Sequence, residues 1–128
     1  MIELNEVRIK RIYEPEDDAD GARILVDRIW PRGISKDEAR LTIWLKDIAP
    51  STELREWFDH DLQRWTPFKE RYFGELSNER HVIDTLIEYV RESPVTLLYG
   101  AHDETHNNAI ALKEYLYDHV FPTLNGRI

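Results

Sequence analysis

The densest charge in an otherwise apolar stretch lies in Asp27-Arg28-Ile29-Trp30-Pro31-Arg32-Gly33. A charge buried among apolar side chains is costly without a partner, so Asp27 and Arg28 each call for a counter-charge or a ligand. On a continuous strand, adjacent side chains point to opposite faces, which would send these two apart. Pro31 fixes a turn and Gly33 permits close backbone approach. Between them, Arg32 sits on a stiff tip suited to two-pronged contact with a phosphate or a carboxylate. Two outcomes stay open: an internal ion pair, for instance Asp27 with one of the arginines, or an anion-binding role.

A second group is Tyr99-Gly100-Ala101-His102-Asp103-Glu104-Thr105-His106-Asn107-Asn108, which leaves a predicted strand and enters a predicted helix. In open α/β sheets ligands usually sit at this carboxyl edge, and a helix start offers unpaired N–H groups to anions. Asp103 is the natural N-cap. His106 is the best single candidate for proton transfer, because an imidazole titrates near neutral pH; its other reading is a surface or cap-supporting histidine. His102 and His106 are four apart, but across a loop rather than on a helical face, so no metal is expected. The third group is Trp57-Phe58-Asp59-His60-Asp61 with Trp65 nearby. Trp57 and Phe58 read as core anchors. His60 and Asp61 could be a base and its orienter, though sequence neighbours rarely face each other.

Several chemistries lack their residues. There is no Gly-x-Gly-x-x-Gly, no Gly-Lys-Ser/Thr and no Gly-x-Ser-x-Gly, and there is no cysteine. Dinucleotide and P-loop cradles, a serine nucleophile elbow, a cysteine nucleophile and a disulfide framework are therefore not expected, nor is any cofactor. The 128 residues carry 17 Lys+Arg against 25 Asp+Glu, a net charge of −8, which argues against nucleic acid as the partner. No apolar run approaches the roughly 18 residues of a membrane span, and the charged amino terminus predicts no signal peptide. A cytoplasmic protein with one domain over residues 1–128 is the expectation; oligomeric state is not readable.

The apolar pattern predicts the elements that hold these groups. Val7 to Tyr13 reads as a half-exposed strand and Arg23 to Trp30 as one buried on both faces. Between them, the acidic stretch Glu14 to Gly21 reads as a solvated turn, with a cation site as the lesser alternative. Ser35 and Glu38 form a capping box for a short helix. Leu41 to Ile48 is either a third strand or an irregular turn. Pro50-Ser51, Thr66-Pro67 and Asn78 mark three helix starts, the last followed by the stripe Val82, Ile83, Leu86, Ile87 and Val90. Val95 to Gly100 reads as a central, parallel strand. A last helix turns Ala109, Leu112 and Leu116 inward. The order predicts an α/β protein, a small, mostly parallel or mixed sheet with helices packed on its faces.

Asp27 to Ser35, Trp44 to Ser51, Leu54 to Phe58, His60-Asp61, Phe68 to Tyr72, Val95 to Ala101, Asp103-Glu104 and His106-Asn107 together resemble the YeaO-like proteins, a bacterial and archaeal family of unknown function. The resemblance covers nearly the whole chain and implies a compact α/β protein without supplying a reaction. At His102 the family pattern is more often basic, which counts further against a metal. The family's recurrent polar positions fall on Asp27, Arg28, Trp30, Arg32, Lys46, Tyr99, Asp103, His106 and Asn107.

The leading expectation is a site for a small anionic molecule, a nucleotide, nucleobase or sugar-phosphate-like compound, at the carboxyl edge of the sheet. Arg28, Trp30, Arg32, Gly33, Lys46, Tyr99 and Asn107 would bind the ligand. If the protein is an enzyme, Asp27 or Asp103 would serve as the carboxylate and His106 as the proton shuttle of a hydrolase or transferase. The rival is a non-enzymatic sensing or interaction module whose polar clusters are a structural salt-bridge network.

Overall fold

A computed structural model describes residues 3–125. Four strands, β1 (Val7–Arg11), β2 (Ala22–Leu25), β3 (Ile43–Trp44) and β4 (Val95–Tyr99), form one sheet in the order β1-β4-β2-β3. Every pairing is parallel, with Val7 and Ala22 both opposite Val95, and Ile24 opposite Ile43. The helices are α1 (Lys36–Ala39), α2 (Thr52–Phe58), α3 (Trp65–Ser77), α4 (Arg80–Glu92), α5 (Asn108–Tyr115) and α6 (Phe121–Asn125), the last two joined by a π-helical turn. Among the described residues no helix is long and apolar enough to cross a membrane.

Alternation along the strands divides the core in two. Ile24, Val26, Val95 and Leu97 face the larger cluster, which α2 to α5 complete through Phe58, Phe68, Tyr72, Leu86 and Leu112. Leu25 and Leu98 face the smaller one, with Ile12, Ala39 and the indoles of Trp30 and Trp44. β4 is buried along its whole length, as its unbroken apolar run requires.

The chain departs from the sequence expectation at several boundaries. β2 stops at Leu25, because β3 offers it only two partner residues, and Arg28 and Ile29 form a bend. The stretch Leu41 to Ile48 is both things at once, a two-residue strand followed by a 3-10 turn. α3 begins at Trp65, not after Thr66, because the Asp61 carboxylate accepts from Gln63 N and starts a 3-10 turn that runs into the helix. Asn78 ends α3 rather than capping α4. The acidic stretch is not wholly solvated. Asp20 is 4% exposed, on a 3-10 turn, and bonds Lys10 at 2.7 Å and Arg23 at 2.5 Å.

Candidate functional site

At the carboxyl ends of β2 and β4 lies a hollow of about 820 Å³. Three segments enclose it: Asp27 to Arg32 after β2, Gly100 to Asn108 after β4, and Ala49 to His60 around α2, with Tyr13 and Phe68 completing the wall. The end of β1 ties two of them together. Arg11 Nε donates to Ala101 O at 2.8 Å, and Tyr13 OH donates to Arg32 O at 2.6 Å. The Arg11 guanidinium also lies over the Tyr13 ring, 4.8 Å from its centre.

Asp27 and Arg28 border the same hollow rather than opposite faces, since β2 has ended before either. The Asp27 carboxylate accepts from Gly100 N at 2.9 Å and from Asn108 Nδ2 at 3.1 Å. Gly100 suits that approach, because a Cβ there would lie 3.2 Å from Asp27 Oδ2 and push the carboxylate back by a few tenths of an ångström. No ion pair to Asp27 forms among the described residues, so the expected internal pair with an arginine is absent. Burial pushes its carboxyl above the ordinary range, against the pull of Asn108, Gly100 and the Arg55 charge.

Arg28 is held by main-chain oxygens. Nε donates to Pro50 O at 3.1 Å and Nη2 to Ala49 O at 3.0 Å, while its nearest carboxylate, the exposed Asp47, is 4.0 Å from Nη1. The carbonyl before these two is itself fixed, since the buried Tyr72 OH donates to Ile48 O at 2.6 Å. Ser51 caps α2 and bonds the Glu75 carboxylate through both its N and its Oγ. The guanidinium is therefore positioned by a rigid segment yet has no close counter-charge.

His106 borders the hollow and stands edge-on to Trp65, ring centres 5.3 Å apart. Its Nδ1 lies 3.2 Å from Asp103 Oδ2 and 2.9 Å from Thr105 Oγ1. An ionised carboxylate only accepts, so the ring proton belongs on Nδ1, leaving the Nε2 lone pair without a partner among the described residues. Asp103 stays ionised readily. The N–H of Thr105 foremost, then that of His106, holds its carboxyl below the usual range despite some desolvation. Asp103 is not the N-cap of α5. Asn107 is, accepting from Ile110 N at 2.9 Å, while Asp103 caps its own loop.

Of the ten sequence-derived site residues, Asp27, Arg28, Trp30, Arg32, His106 and Asn107 border the hollow. Two of these are occupied elsewhere: Asn107 caps α5, and the Trp30 indole N–H donates to Ile34 O at 2.8 Å. The other four stand outside it. Tyr99 is buried in the larger core, Lys46 lies over the Trp44 ring, Gly33 forms the turn with φ +76°, and Asp103 supports His106 from behind. His60 does reach the hollow, through left-handed backbone at Asp59 and His60, but Asp61 turns to Gln63 and Arg64 instead of orienting it.

Sequence reasoning missed Arg55 and Asn108. Arg55 borders the apolar stripe of α2, where a charged side chain is the ordinary solvent-facing pattern, so no local signal marks it. Asn108 had one: of two consecutive asparagines at a helix start only one can cap, which frees the other to reach Asp27. Together Arg28, Arg32 and Arg55 face Asp27, Glu56 and Asp59, with three histidines, so the hollow is balanced in charge. Among the described residues no group of three or more acidic or histidine side chains could hold a metal ion.

A family profile described as "Inactive DUF488-N3 subclade" matches residues 6–123. The chain is 42% identical over 110 residues to the uncharacterised protein YeaO of Escherichia coli K12, covering 86% of this chain and 96% of that one. It is 41% identical over 116 residues to an uncharacterised protein of Mycobacterium tuberculosis H37Rv, covering 91% and 98%. No solved structure matches.

Proposed function

This chain belongs to the YeaO-like family, within the group described as the inactive DUF488-N3 subclade, and from that premise we propose that its hollow binds a small anionic molecule without turning it over. The observation that carries this reading is Arg28. A guanidinium fixed by two carbonyls, with only a distant exposed carboxylate to answer it, is arranged to meet an anion brought from outside. Arg32, from the same segment, and Arg55, from α2, border the same hollow and would close on the same group. The word "Inactive" in the family description favours binding over turnover.

The test is thermal unfolding of the wild type with inorganic phosphate, ribose 5-phosphate and AMP, since a ligand bound only by the folded state raises its stability. Each of Arg55→Ala and Arg32→Ala, both exposed and remote from the core, should weaken binding by about 10- to 100-fold, the scale of a charge-assisted hydrogen bond. No stabilisation of the wild type by any of the three anions, or an equal response in both variants, would refute the reading.

One observation favours catalysis as a second reading: His106, held through Nδ1 by Asp103 with Nε2 unpartnered among the described residues, borders the hollow that Asp27 also borders. Hydrolysis of a bound phosphate ester by the wild type, abolished in His106→Ala, would establish it in place of simple binding.

A further inference from the structure

Asp27 and Arg28 are chain neighbours that border one hollow; Asp27 forms no ion pair among the described residues, and Arg28 meets only the exposed Asp47 carboxylate, at 4.0 Å. A carboxylate offers about four lone-pair positions. Gly100 N and Asn108 Nδ2 occupy one on each oxygen of Asp27, and both donors are neutral. The remaining acceptor capacity belongs to a side chain that borders the cavity. Asn108 adds to it. Its Nδ2 donates both to Val26 O and to Asp27 Oδ1, which fixes the amide orientation and leaves Oδ1 as an acceptor with no partner among the described residues. One end of the site thus holds unused acceptors, while Arg28 holds a cation without a close counter-charge.

Resting on the anion-binding reading above, we infer that the ligand is bipolar: an anionic group is met by Arg28, and a donor-bearing group of the same molecule, an ammonium or a hydroxyl, is met by the Asp27 carboxylate and Asn108 Oδ1. A simple anion leaves Asp27 unanswered, and a simple cation leaves Arg28 unanswered. Only a molecule with both ends satisfies two partly buried groups that the fold keeps apart from each other, with no internal ion pair closer than the exposed Asp47 at 4.0 Å from Arg28. The equal number of arginines and carboxylates around the hollow suits such a molecule better than a polyanion.

Isothermal titration of the wild type with alkyl phosphates of equal length tests this: 2-aminoethyl phosphate against propyl phosphate, and 3-aminopropyl phosphate against butyl phosphate. In at least one pair the amino compound should bind about 10-fold or more tightly than its methyl-ended counterpart, because the paired donor answers a carboxylate otherwise left unsatisfied. In Asp27→Asn that preference should fall to about 3-fold or less. Alkyl phosphates that bind with no amino preference in either pair would overturn this inference and leave the anion site standing. Failure of all four compounds to bind would overturn both. A preference that survives Asp27→Asn would assign the donor end elsewhere and also overturn it. Should Asp27→Asn fail to fold, the comparison of equal-length compounds on the wild type decides the matter.

Discussion

Replacing Asp20 with alanine should lower the free energy of unfolding by about 3–5 kcal/mol, the scale for removing one partner of a buried ion pair. Asp20 and Arg23 are 4% and 3% exposed, and their charged atoms are 2.5 Å apart. The remaining donors of Arg23 go to Ala39 O and Arg40 O, so no second carboxylate stands ready to replace Asp20. The residue also fastens the return from β1 to β2. Its side chain bonds Lys10 on β1 and Arg23 at the start of β2, and its carbonyl accepts from Thr96 Oγ1 on β4 at 2.7 Å. Three adjacent parallel strands thus meet at one aspartate.

Urea unfolding at neutral pH measures the loss, and a change below about 1 kcal/mol would mean that the turn simply hydrates. Asp20→Ala combined with Arg23→Met should recover part of it, because no uncompensated charge then stays buried. The pH dependence has a definite sign. Burial pushes the Asp20 carboxyl upward, but Lys10, the Asp17 N–H and Arg23 outweigh it and hold it below the ordinary 3.8. Its contribution is therefore fully present above that value and is lost as pH falls through the lower, folded-state value. The difference between wild type and Asp20→Asn should be largest at neutral pH and shrink in acid below 3.8.

Gly21→Ala should be nearly as damaging, at about 3 kcal/mol or more, the sum of a strained backbone and a hard contact. Gly21 has φ +65°, and a Cβ built there lies 2.0 Å from Pro94 O. That oxygen cannot simply retreat, since it accepts from Ala22 N at 2.9 Å and precedes the first residue of β4. Gly33→Ala is the matched control. Its φ is +76° but nothing lies within 4 Å of the added Cβ, so only the left-handed penalty of about 1–2 kcal/mol applies. Chemical unfolding of the two variants side by side gives the comparison. Equal losses would show that the packing against Pro94 yields easily.

These two neighbours also mark where local reading stops. Ser35 and Glu38 do form the capping box, and the α4 stripe from Val82 to Val90 is buried at every position expected. The run from Val95 to Tyr99 is a central parallel strand. All of these depend on residues within a few positions of one another, where spacing carries the information. Asp20 sits in a cluster of like charges that reads as solvated, and its burial follows from Lys10, Arg23 and Thr96 arriving together, Thr96 from 76 positions away. The relation of Asp27 to Arg28 failed for a similar reason. Alternation presumes a continuing strand, and β3 is too short to continue β2.

The α/β class, most of the helices and the two polar stretches that border the hollow were thus written in apolar periodicity, capping residues and turn formers, all short-range properties. Strand order, the use of Asn107 rather than Asp103 as the cap, the entry of Arg55 and Asn108, and the withdrawal of Tyr99, Lys46 and Gly33 from the hollow came from packing. A side chain's partners there are set by which distant segments the core brings within a few ångströms, and no spacing along the chain encodes that distance.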